Sequence, residues 1–257
     1  MGGADRSDRK RRQAAAEARL RAAGITPKRR GPGGLSGTSL VLTIVAVVVI
    51  AAIVVGVVVT MNNRASDAAA PAPAYPVARN GAMITAGQAA APVTVDIYED
   101  YLCPYCERFE TTYKDELTTA LNEGKIKVNY HAISILDRAS NPVGYSTRAA
   151  NAAICAADAG IFPAYHAQLY AEQPAEGSAG FTNDELTAKG TALGAGPAFG
   201  QCVAAQANTG LIENATNTAA ATPALQTNGQ FGTPTIAVNG AKVDVNDTSW
   251  LQKAIQA

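Results

Sequence analysis

An α/β sheet interrupted by a helical insertion, and preceded by a single transmembrane helix, is the architecture this 257-residue sequence predicts. Three observations lead there. Residues 40–61 form an apolar run without a single charge. β-Branched strand patterns stand near both ends of the remaining chain, at residues 93–98 and 235–238. Between them, over about 139–228, the chain turns Ala-rich with helical spacing.

The first element, residues 1–36, is a basic tail. Ten of the 21 Lys and Arg residues fall in it, against three of the 21 Asp and Glu residues. The formal net charge of zero therefore averages a basic tail and an acidic remainder, a split that suggests two compartments. Because the basic character is confined to the tail, nothing points to nucleic-acid binding by the domain. Residues 37–61 follow as the anchor. At 1.5 Å per residue, the 40–61 run spans roughly 33 Å, enough for a hydrocarbon core of about 30 Å. A cleaved signal peptide is the alternative, with the small residues 65–70 offering a cleavage site, but the apolar stretch exceeds the usual h-region. Positive charge on the N-terminal side predicts a cytoplasmic tail and an exported C-terminal domain.

Residues 62–82, rich in Ala and Pro, read as a semi-extended linker. The domain is expected over 83–257. Residues 93–98 (VTVDIY) alternate as a strand and run into Cys103-Pro104-Tyr105-Cys106. A helix is expected over about 105–122, with Pro104 in its first turn and Gly124 beyond its end. Residues 126–130 (IKVNY) make a second strand. Helices follow at 145–159, 162–171, 183–193, 198–207 and 211–225. Strands return at 235–238 and 242–245, joined by Asn239-Gly240, a hairpin-turn dipeptide, and a last helix capped by Asp247 or Thr248 ends near 256.

The chemistry sits at Cys103 and Cys106. A sulfur at a helix N-terminus faces unpaired N–H groups and the positive end of the dipole, and both favour thiolate, the attacking species in disulfide exchange. Cys106, one turn on, lies on the same helix face and is placed to close a ring with Cys103. An inert disulfide and half of a zinc site are the competing readings. Zinc needs a second cysteine pair at matching spacing or nearby histidines, and the sequence offers only Cys155, Cys202, His131 and His166, widely scattered. No metal or cofactor is called for by these residues.

Cys103-Pro104-Tyr105-Cys106 after a strand, Gly232-Thr233-Pro234 before a strand and hairpin, and the helical insertion together resemble the DsbA-like branch of the thioredoxin superfamily. Asp100-Tyr101-Leu102 is similar to its membrane-anchored actinobacterial and Gram-positive members. The resemblance implies a thioredoxin-like fold over about 83–257 and a cis-proline at Pro234 facing the cysteines. It also implies that Thr233 offers its backbone to an extended substrate strand, with Pro104 and Tyr105 at the same surface. An ordinary loop is the alternative for Thr233-Pro234. Tyr105 stands where the strong oxidants of the family carry histidine, and it offers no cation to a thiolate. The buried acid that thioredoxins place six residues before the first cysteine is replaced by Ile97. Glu99 shares the face of Ile97 but reads as a solvated loop glutamate.

Cys155 and Cys202 read as a structural disulfide across the insertion, since free thiols are a liability in an exported domain; two buried thiols or a second redox pair are the alternatives. Phe109 and Tyr113 are expected in the core and Tyr105 at the surface. His131 and His166 are taken as structural or surface residues without partners. The activity expected is extracytoplasmic thiol:disulfide exchange, foremost oxidation of cysteine pairs in unfolded exported proteins. The resemblance implies reoxidation by a quinone-linked membrane partner and a monomeric state. A reductase or isomerase of the same fold, and a non-catalytic exported binding module, are the other readings.

Overall fold

The structure is a computed structural model that describes residues 74–256. The basic tail and the anchor expected over 37–61 lie outside the described residues. Among those described, no helix is long and apolar enough to cross a membrane.

Six strands form one sheet in the order β1-β2-β4-β3-β5-β6. They are β1 (Val77–Asn80), β2 (Met83–Gly87), β3 (Val93–Glu99), β4 (Ile126–Ala132), β5 (Thr235–Val238) and β6 (Ala241–Lys242). Only β3 and β4 pair in parallel, from Val93↔Ile126 to Glu99↔Ala132. The crossover between them is α1 (Pro104–Asn122), as a parallel connection requires. The insertion between β4 and β5 carries α2 (Tyr145–Asp158), α3 (Phe162–Ala171), α4 (Asn183–Ala192), α5 (Pro197–Ala205) and α6 (Thr209–Ala221). The described chain closes with α7 (Trp250–Gln256).

The alternation read in 93–98 is the alternation observed. Val93, Val95 and Ile97 are buried while Thr94, Asp96 and Tyr98 are only partly so. Phe109, Leu117 and Leu121 of α1 join Val95 and Ile97 in one core, together with α2 and α3. In α2 the core positions are mostly alanine: Ala149, Ala150, Ala152, Ala153 and Ala156 are all fully buried. Small side chains let its neighbours approach closely, and dispersion contacts then accumulate over a short distance.

Three expectations are corrected. The linker expected over 62–82 includes a sheet strand, because β1 pairs with β2 from Val77↔Ala86 to Asn80↔Met83. β1 is an edge strand with exposed side chains, so it carries no alternating apolar pattern; Asn80-Gly81 was its one local signal. The helix expected over 211–225 stops at Ala221. Thr222 is extended ahead of Pro223, whose ring disfavours a helical predecessor, and a short 3-10 turn (Pro223–Leu225) follows. The strand expected over 242–245 shrinks to β6, because the Asp244 carboxylate accepts the N–H of Asn246 at 2.9 Å and bends the chain.

Candidate active site

β3 and α1 position the cysteines. The chain leaves β3 at Glu99 and turns through Asp100, Tyr101 and Leu102, all buried, and Cys103 then becomes the N-cap of α1 with φ −77° and ψ 116°. Asp100 holds this turn. Its carboxylate accepts the N–H of Leu102 at 2.9 Å, the hydroxyl of Ser146 at 2.6 Å and the N–H of Leu136 at 2.9 Å. Burial nonetheless pushes its carboxyl up to about 7, against the pull of those hydrogen bonds. The Cys103 carbonyl accepts the amides of Cys106 and Glu107 at 3.0 and 3.2 Å, the first turn of α1.

The two sulfurs are electrostatically unequal. Cys103 is held down to about 6 from a usual 9.0. The hydrogen bond from Cys106 is the largest influence; it outweighs desolvation and is joined by Thr233 and by the amides of Cys106 and Tyr105. Cys106 is fully buried, and burial pushes its thiol well above the ordinary range, with Cys103 and Glu99 adding to the effect. Both cysteines are free thiols here. The helix start thus favours charge on one sulfur while the core disfavours it on the other.

The cis-proline loop closes over the same sulfur. Thr233–Pro234 is a cis peptide, and the Cys103 thiol donates to the Thr233 carbonyl at 3.3 Å. Pro104 is exposed, and Tyr105, 70% exposed, projects outward between the two buried cysteines. Phe109 and Tyr113 lie in the core as expected. Cys155 and Cys202 form a disulfide between α2 and α5, with Cα atoms 5.9 Å apart and the Asn208 amide 3.7 and 3.8 Å from the two sulfurs.

Glu99 and both histidines depart from the sequence reading. Glu99 is no solvated loop residue; it ends β3, is 1% exposed, and its Oε1 lies 2.7 Å from Nε2 of His166 on α3. The other ring nitrogen of His166 lies 3.9 Å from Glu110 of α1. The imidazole therefore stands between two buried carboxylates, packed among the rings of Tyr101, Tyr130, Phe162 and Tyr170. Desolvation lowers the His166 pKa, but the charges of Glu99 and Glu110 prevail and raise it. Burial raises Glu110. Among the described residues this is the trio close enough to hold a metal ion. Its two ring nitrogens face different carboxylates, which suits a held proton rather than a common metal centre. His131, likewise, has a partner: its Nε2 lies 3.0 Å from Asp96. Gln173 was not singled out from the sequence, yet its side-chain amide donates to the carbonyls of both Tyr101 and Cys103. No local signal marks it, because its partners lie about 70 residues away.

With this geometry in place, likeness to known proteins has a basis. A family model described as "Thioredoxin" matches residues 79–257. The serine/threonine-protein kinase PknE of Mycobacterium tuberculosis is 31% identical over 175 residues, 66% of this chain and 31% of the kinase. The chain thus spans about a third of the length of the curated relatives it matches. Among solved structures, reduced DsbA from M. tuberculosis is 30% identical, covering 66% of this chain and 85% of that one, with a TM-score of 0.55. Reduced DsbG from the same organism is 31% identical over 66% of this chain and 81% of that one, TM-score 0.54. The thiol-disulfide oxidoreductase MdbA from Corynebacterium diphtheriae, 21% identical, covers 75% of this chain and 99% of that one with a TM-score of 0.63, a likeness of fold.

Proposed function

This chain belongs to the thioredoxin family, and we propose that it is a protein thiol:disulfide oxidoreductase of the DsbA type that works outside the cytoplasm in the oxidising direction. The observation that carries this reading is the asymmetry of the two sulfurs: Cys103 at the start of α1 with its thiol near 6, Cys106 buried with its thiol raised. In the disulfide form, a substrate thiolate attacks Sγ of Cys103. The Cys103–Cys106 bond breaks, a mixed disulfide forms, and Cys106 leaves and takes up a proton. A second substrate thiolate then attacks the substrate sulfur of the mixed disulfide and expels Cys103. The substrate has lost two electrons and gained a disulfide, and the enzyme is left as a dithiol. Stabilised as a thiolate, Cys103 is a good leaving group, which favours giving the disulfide away.

The charge split and the apolar 40–61 run support anchoring by one N-terminal helix, with the tail cytoplasmic and the catalytic domain outside. All four cysteines lie beyond that run, consistent with an oxidising compartment. Substrates are then reduced exported proteins, the dithiol is reoxidised by a quinone-linked membrane partner, and the enzyme works as a monomer. A second reading, reduction or isomerisation, draws on Thr233 beside the cis-proline, a residue also found there in disulfide isomerases. The reduction potential separates the two. A value near about −120 mV supports the oxidase, and one near about −270 mV sinks it in favour of a reductase. Offered a disulfide-bonded peptide, a Cys106→Ser variant should accumulate a mixed disulfide, visible on a non-reducing gel: the Cys103 thiolate opens the peptide's disulfide, one peptide thiol is released, and no Cys106 thiol remains to resolve the adduct. A non-catalytic binding module would accumulate none.

A further inference from the structure

One side chain ties the helical insertion to the reactive loop. Gln173, just beyond the end of α3, donates from Nε2 to the Tyr101 carbonyl at 3.1 Å and to the Cys103 carbonyl at 3.1 Å. Its own N–H is held by the Tyr170 carbonyl at 3.2 Å, so the donor is itself fixed. The two accepting carbonyls bracket Leu102 and Cys103, the last residues before the helix begins.

The direction of the Cys103 carbonyl is the ψ angle of Cys103. That angle, 116°, makes the residue an N-cap instead of another loop residue, and it brings Sγ within reach of the amides of Tyr105 and Cys106. The other side of this peptide bond belongs to Pro104, which has no N–H to restrain it. Restraint therefore falls on the carbonyl, from the amides of Cys106 and Glu107 within the helix and from Gln173 outside it. The Tyr101 carbonyl lies in a fully buried residue ahead of the helix, and Gln173 is the donor that the structure gives it.

We propose that Gln173 is a positioning residue for disulfide exchange: its carboxamide clamps the carbonyls of Tyr101 and Cys103, keeping the reactive sulfur at the helix start. The proposal rests on the reading of Cys103 as the attacking sulfur. Gln173 hydrogen-bonds to backbone carbonyls and to neither sulfur, and it carries no charge. It acts through the backbone that presents Cys103, so its removal shifts the thiolate population and the redox balance in addition to folding.

Gln173→Met and Gln173→Glu in the full-length protein test this. Methionine keeps the volume but has no N–H; an ionised glutamate adds charge repelled by both carbonyls. Two quantities are read: the pH dependence of thiolate ultraviolet absorbance, and the equilibrium with glutathione. In Gln173→Met the Cys103 midpoint rises by about half a pKa unit, a threefold fall in its acid constant, or about 0.7 kcal/mol. The reduced form loses stability accordingly, and the glutathione equilibrium moves about threefold towards the enzyme disulfide. Gln173→Glu moves both in the same direction and further. A Gln173→Met protein with the wild-type midpoint overturns the clamp, whether or not it melts early, and leaves a packing role. A wild-type protein whose Cys103 titrates like an ordinary thiol sinks the underlying reading instead, so the two failures are distinguishable.

Discussion

At the scale of single residues, reactivity here is a matter of where one sulfur stands relative to a helix start. Cys103 ionises at about 6 in the folded chain and near 9.0 when unfolded. Between those values the folded thiol is charged while the unfolded one is not. Stability contributed by this group is therefore fully present above pH 9 and is lost as pH falls through 6. Thermal unfolding of the reduced chain, compared with the oxidised chain that has no such thiol, should show reduced-state stability rising from pH 6 to 9. Alkylation of Cys103 should reach half its maximal rate near pH 6. Tyr105 is the place to adjust this chemistry, because its side chain is solvent-facing and carries little packing. Tyr105→His should depress the Cys103 midpoint further and raise the reduction potential, at little cost in thermal stability. The cysteines were legible because spacing, a preceding strand and a following helix are all local. Glu99, His166 and Gln173 were not, since what defines each is a partner 67 to 72 residues away. A lone glutamate at the end of a strand gives no sign that an imidazole will be folded against it.

At the scale of elements, the insertion is held by its disulfide as well as by packing. Cys155 and Cys202 close a separation of 47 residues, nominally worth about 4 kcal/mol in chain entropy. The double variant Cys155→Ser/Cys202→Ser should lose stability of that order or less in urea titration, while the glutathione equilibrium of Cys103 stays as in the wild type. A shift in that equilibrium would mean that the disulfide also governs the site. β3, β4, β5 and most of the helices were readable from periodicity and punctuation. β1 was hidden because an edge strand need bury only a little: Val77 is partly buried and its successors are exposed. β6 was overestimated because Val243 and Val245 alternate like strand residues, while Asp244 turns the backbone through a local hydrogen bond that hydropathy does not register.

At the scale of the whole molecule, the chain's charge asymmetry predicts its placement. In intact cells, externally added protease should digest the domain of residues 74–256 while leaving a tag on residue 1 protected. The full chain should stay with membranes after alkaline extraction. Protection of the domain would refute the exported orientation. The same layout explains why the fold class was accessible from sequence: the strands that frame the insertion carry β-branched runs at both ends, so the interruption stands out by contrast.

The contrast between Tyr105 and its flanking sulfurs has one more consequence. Both sulfurs lie below the surface, the Tyr105 ring projects from between them, and the Thr233 carbonyl meets the Cys103 sulfur. Such a surface reads little of a client's sequence. It asks instead that the client present a flexible, strand-like segment long enough to reach down to the sulfur. Under the proposed oxidase function, selectivity follows from the client's state: polypeptides are served while still unfinished and released once their own compaction withdraws the cysteine.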